Sequence, residues 1–167
     1  MGGTGAVSAG CGGARLASTE LASDAGAAFH GWPKETHLPL AALPTAPGCA
    51  RGHVRAVARE CGLSALADTA ELIVSELVTN AVQASGRAGL RADQPTVPVV
   101  GLWVASDGVS IVLHVWDASD AMPVRQNSSL DEIGGRGLVL VEHLAKDWGV
   151  YRKGGGKVVW VQITGEP

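Results

Sequence analysis

Hydrophobic positions change their period along the chain. Thr36 to Leu43 carries Leu38 and Leu40 among prolines, the pattern of an edge strand. From Pro47 to Cys61, the residues Val54, Val57, Ala58 and Cys61 recur at helical spacing, and Gly62 stands where a helix C′ residue would. Ser64 is expected to cap a longer helix reaching about Ser85. Its apolar stripe is Leu66, Ala70, Ile73, Leu77 and Ala81, flanked by Val74, Val78 and Val82. Ser85-Gly86 ends it, and residues 86–97 read as a polar loop. The period then becomes two. Val100, Leu102 and Val104 alternate with Gly101 and Trp103, and Asp107-Gly108 signals a hairpin turn. Val109 to Asp117 returns with Ile111, Leu113 and Val115 on one face and Val112, His114 and Trp116 on the other. Residues 118–134 are irregular. A third helix is predicted from about Gly137 to Lys146, with Leu140, Val141, Leu144 and Ala145 inward. Trp148–Arg152 and Val158–Ile163 form a last hairpin around Gly154-Gly155-Gly156. The order β-α-α-β-β-α-β-β predicts a two-layer α/β (α+β) sandwich, with helices on one face of a mostly antiparallel mixed sheet.

Composition narrows the organisation. A chain of 167 residues suits one domain. Met1 to about Gly31 is rich in Gly, Ala and Ser without a hydrophobic period, and reads as a disordered tail. The division expected is a tail over 1–33 and a folded domain over 34–165. An apolar fraction of 46% is enough for a real core, and a net charge of −3 is a poor match for nucleic acid. No run of about 18 uncharged apolar residues occurs, so no membrane span is expected. Nor does a basic start lead into an apolar stretch, so no secretory leader is expected and the location inferred is cytoplasmic. Cys11, Cys49 and Cys61 are odd in number and form no C-x-x-C pair, so reduced thiols are expected rather than a disulfide framework or a thiolate zinc site. The five histidines lack the H-E-x-x-H spacing of a zinc helix.

Three short constellations carry possible chemistry. Glu76 and Asn80 lie four apart on the second helix, so they share a face. A carboxylate and an amide oxygen there suit either a hydrated Mg²⁺ or, for Glu76, acceptance of a proton; a solvated polar face is the plain alternative. Trp116-Asp117-Ala118-Ser119 ends an apolar strand with a carboxylate, suited to an amino-group donor or to orienting the loop. Gly134-Gly135-Arg136-Gly137-Leu138 precedes a helix, where small residues and free N–H groups admit an anion. No Walker loop, G-x-G-x-x-G turn or G-x-S-x-G elbow is present.

Taken in order, S-E-L-V-T-N-A (Ser75–Ala81), W-D-A-S (Trp116–Ser119) and G-G-R-G-L-V-L-V-E-H-L-A (Gly134–Ala145) resemble the N, G1 and G2 boxes of the GHKL ATPase superfamily. The closing W-G-V…G-K-V-V-W-V (Trp148–Val161) is similar to the end of short anti-sigma-factor serine/threonine kinase-like regulators of actinobacterial type. The resemblance implies a Bergerat-type ATP site over about Lys34 to Ile163. By it, Asn80 holds Mg²⁺, Glu76 is the general base and Asp117 bonds the adenine amino group. Gly135 and Gly137, with Arg136, Leu138 and Ser119, line the nucleotide, and Arg125 and Arg136 are the cations nearest the lid. Three positions depart from the wider pattern: Ser119 and Ala121 stand where glycines are usual, and Ala84 where anti-sigma kinases often have histidine. The implied activity is transfer of the ATP γ-phosphate to a Ser or Thr of a partner antagonist, with binding of a sigma factor or similar target. A homodimer is expected by the same analogy. The alternative is a catalytically silent, ATP-gated partner-binding module. A scaffold that has lost nucleotide binding sits poorly with the joint presence of Glu76, Asn80, Asp117 and both glycines.

Overall fold

A computed structural model describes residues 32–88, 97–119, 121 and 136–165. Strand β1 (Lys34–Ala41) leads to helix α1 (Ala46–Glu60), a 3-10 turn (Ser64–Leu66) and helix α2 (Ala67–Ala88). Strands β2 (Val99–Ser106) and β3 (Ser110–Asp117) follow, then helix α3 (Arg136–Leu144) and strands β4 (Asp147–Lys153) and β5 (Gly156–Thr164). The sheet order is β1-β2-β3-β5-β4, and every pair is antiparallel. Pro39 is tolerated because β1 is an edge strand, where a missing N–H breaks no interior ladder.

The predicted stripes face inward. Ala50, Val54 and Val57 of α1 and Ile73, Val74, Leu77 and Val78 of α2 are buried against Leu102, Val104, Ile111, Leu113, Val115, Val161 and Ile163 of the sheet. Pro47 sits in the first turn of α1, where its missing N–H costs nothing, and Gly62 ends the helix at φ +73°. Arg55 of α1 forks onto Glu71 of α2 through Nε to Oε1 and Nη2 to Oε2. The β2–β3 hairpin turns at Gly108 (φ +86°), with Asp107 Oδ1 accepting the N–H groups of Val109 and Ser110.

The other sheet face is also packed. Trp103, Trp116, Val112 and Val158 form a second buried cluster, with Tyr151 and Trp32 against it. Trp103 lies over Gly101, where an added Cβ would sit 2.6 Å from the indole ring. Trp103 also stacks on His37 at 4.4 Å between centroids.

Four expectations are corrected. Ser64 makes no side-chain cap; it opens a 3-10 turn that leads straight into α2. Helix α2 runs past Ser85 to Ala88, because Gly86 within a helix costs only about 1 kcal/mol and the packed stripe outweighs it. Leu144 does not point inward but is 38% exposed, since α3 ends there and its last turn leaves the core; Val141 is the fully buried contact. The thiols are not all reduced. Cys49 is disulfide-bonded, a pairing that spacing cannot reveal, while Cys61 is free. Most of the expected irregular segment 118–134 lies outside the described residues, as does the expected tail over 1–33 apart from residues 32 and 33.

Candidate functional site

Helix α2 presents a polar edge beside its buried stripe. Ser75 accepts the Arg51 guanidinium at 2.9 Å, and the Thr79 hydroxyl donates back to the Ser75 carbonyl at 2.7 Å. Both are thereby used within the helical layer. Glu76 and Asn80 share the neighbouring edge, both half-buried, and among the described residues neither makes a side-chain hydrogen bond or ion pair. Two such groups with free oxygens are available to a ligand.

Helix α3 enters over Glu76. Gly137 is buried, and a Cβ built on it would lie 2.7 Å from Glu76 Oε2 and 3.3 Å from Glu76 Cβ. The backbone at the start of α3 therefore touches the Glu76 side chain, and only glycine permits that distance without displacing the carboxylate.

The second cluster forms where β3 meets β5. Asp117 and Lys157 are directly opposite in register, on the same sheet face as Val115 and Val159. Lys157 Nζ donates to Asp117 Oδ1 at 2.8 Å, and these side chains are only 8% and 3% exposed. Gly156 lies against the Asp117 backbone, where a Cβ would fall 2.0 Å from the carbonyl oxygen. The Ser119 N–H also donates to Asp117 Oδ1, at 2.9 Å, and the Ser119 hydroxyl accepts the Ala121 N–H at 3.2 Å. These two linked turns fix the loop at Ser119, a position where glycine is usual in the motif it resembles. The loop is shaped by side-chain acceptors, and no described non-glycine residue has positive φ.

The structure thus joins Glu76 to Gly137, and Asp117 to Ser119. Asn80 stays beside Glu76 on one helix. Arg136 begins α3, but its side chain and that of Leu138 are outside the description, as are Gly135 and Arg125 altogether. Lys157 and Gly156 were not among the predicted site residues. The hairpin needs only Gly154 and Gly155, which hold positive φ, so the third consecutive glycine was the available signal.

Sequence comparison places this arrangement. A family model described as the histidine kinase-like ATPase domain matches residues 40–163. The chain belongs to that family. No curated protein matches it. Family membership supports an ATP-binding regulatory function and fits the antiparallel α+β fold. None of the described helices is long and apolar enough to cross a membrane.

The donor set suits one kind of metal. Among the described residues no group of three His, Cys, Asp or Glu side chains is placed to hold an ion. An all-protein cage is therefore absent from that part of the molecule. A single amide oxygen next to a carboxylate fits Mg²⁺, which keeps its waters and completes its shell with phosphate oxygens.

Proposed function

We propose that this protein is an ATP-dependent serine/threonine protein kinase of the anti-sigma-factor type, acting as a cytoplasmic regulator. The observation that carries the reading is the contact between Gly137 and Glu76. It holds a half-buried carboxylate, without a hydrogen-bond or ion-pair partner among the described residues, beneath the start of a helix and next to Asn80. That is where a base for a hydroxyl nucleophile would stand, with free N–H groups at the helix start to receive anionic phosphate.

In this reading Asp117 accepts the adenine amino group, and Asn80 holds Mg²⁺. Ser119, Gly135, Arg136, Gly137 and Leu138 line the nucleotide. The cation would supply charge neutralisation at the phosphates, which phosphoryl transfer needs more than covalent help. Glu76 takes the proton of the attacking Ser or Thr hydroxyl. The new bond joins that oxygen to the γ-phosphorus, the bridging oxygen bond breaks, and ADP leaves with the electron pair. The acceptor is a small antagonist protein, the second partner a sigma factor or similar target, and the assembly a homodimer; these three follow from the family resemblance.

Titration calorimetry with ATP and ADP, with and without Mg²⁺, tests the site. Mg²⁺-dependent ATP binding that disappears in Asn80→Ala is the expected result. Absence of binding at millimolar ATP would overturn the reading. Glu76→Ala is expected to bind ATP like the native chain and to form no phosphoserine on an acceptor; retained transfer in that variant removes the role given to Glu76, and a native chain that binds ATP but transfers nothing is a nucleotide-gated binding module instead.

A further inference from the structure

We propose that Lys157 is a positioning residue for adenine recognition: by occupying Oδ1 of Asp117 it reserves Oδ2 as the acceptor for an exocyclic amino group. The inference rests on the nucleotide reading above and deepens it at a residue to which that reading gave no role.

The argument begins with lone pairs. A carboxylate oxygen accepts about two hydrogen bonds. Asp117 Oδ1 already takes the Lys157 ammonium at 2.8 Å and the Ser119 N–H at 2.9 Å. Among the described residues no hydrogen bond falls on Oδ2, the oxygen that the proposal assigns to an incoming N–H. The carboxylate is also held in place from behind. Gly156 brings the β5 backbone against the Asp117 carbonyl, closer than any side chain at 156 would allow, and so sets the approach of the strand that carries Lys157.

Stability alone does not account for a lysine here. Along the same strand face, Val159, Val161 and Ile163 are apolar and pack into the core. Burying an ion pair brings little net stabilisation over a well-packed apolar pair, because both charges must be desolvated. A single-point donor has a distinct geometric property, however. An ammonium engages one oxygen, whereas a guanidinium fork engages both. Lysine at 157 anchors the carboxylate and leaves an acceptor for the ligand.

The test compares ATP with purine riboside triphosphate, which lacks only the 6-amino group, by calorimetry in Mg²⁺. The native chain is expected to prefer ATP by about tenfold or more, the value of a hydrogen bond to a charged group. In Lys157→Arg the fork takes both oxygens, and in Lys157→Met the anchor is gone. In both, the preference is expected to fall below about threefold, ATP weakening far more than the analogue. A merely structural role would weaken the two nucleotides together and keep their ratio, and that result in either folded variant overturns the proposal.

Thermal melts report folding of the variants. Should neither fold, ¹⁵Nζ spectra of the native chain labelled at lysine decide. The buried Lys157 signal is expected to shift with ATP and to move much less with the analogue; equal shifts overturn the proposal. A native chain that binds both nucleotides equally removes this inference and spares the nucleotide site. A chain that binds neither removes both.

Discussion

At the scale of single residues, the two acidic side chains proposed for the site stand in different surroundings. Asp117 is buried and pinned, while Glu76 is half-buried and without a protein partner among the described residues. Asp117→Asn keeps the shape and removes the charge. ATP binding is expected to weaken by about 1.5–3 kcal/mol, read by calorimetry. The same change leaves the Lys157 ammonium buried beside a neutral amide. Both side chains are nearly excluded from solvent, so screening offers little relief and a loss of about 3–5 kcal/mol in folding stability is expected in urea melts. Gly137→Ala works in the opposite sense. Alanine favours a helix over glycine by roughly 1 kcal/mol, which offsets the cost of moving the flexible end of Glu76. Stability should change by less than about 1 kcal/mol, while phosphoryl transfer falls at least tenfold because the carboxylate is displaced. An unchanged transfer rate would mean that Glu76 needs no such placement.

At the scale of elements, the site depends on how two strands meet. Gly156 opens β5 and faces the carbonyl of Asp117 at the end of β3. A methyl group there would overlap backbone, which cannot rotate away as a side chain can. Gly156→Ala is therefore expected to cost about 3 kcal/mol or more, and to lower ATP affinity as well, since it separates Lys157 from Asp117. Gly155→Ala provides the contrast. Its surroundings are open, and strain comes only from φ +75°, so it should cost no more than about 1–2 kcal/mol and leave affinity unchanged. Comparing melting temperatures and ATP dissociation constants of the two variants separates a turn glycine from a site glycine.

At the scale of the whole molecule, the central strands β2 and β3 are buried on both faces, and the face of β3 away from the helices carries a pH-sensitive group. His114 sits on β3 between Tyr151 and Trp160, and burial pushes its pKa down to about 4, with Lys153 adding a smaller effect. Burial also lowers His37 and His53. These groups resist protonation in the fold, but not in the unfolded chain. Stability is thus fully present above the ordinary histidine value of 6.5 and is lost as the pH falls from there toward 4. For His114 alone the loss is on the order of 3 kcal/mol at the acid end. Urea midpoints measured from pH 7.5 to 4 should decline over that window, and His114→Gln should flatten the curve. A native curve that stays level to pH 4.5 would show that His114 titrates freely.

Element types and most core positions followed from the sequence, because period and burial are local consequences of helix and strand geometry. The stripe from Leu66 to Ala81 and the alternation from Ile111 to Val115 needed no partner to be read, and Asp107-Gly108 named its own turn. The ordered boxes named Glu76, Asn80 and Asp117 for the proposed site. What the sequence could not contain was distance between segments. Gly137 on Glu76 spans helices α2 and α3, and Lys157 on Asp117 spans strands β3 and β5. Lys157 received no individual reading from the sequence, and only the register puts it opposite a carboxylate. Ser119 looked like a departure from glycine until its hydroxyl and Asp117 were seen to shape the loop together. The disulfide at Cys49 was equally invisible to residue counting. The physical reason is common to all of them. Periodicity reports which face of an element is buried, whereas pairing between elements is decided by packing and strand register once the chain has folded.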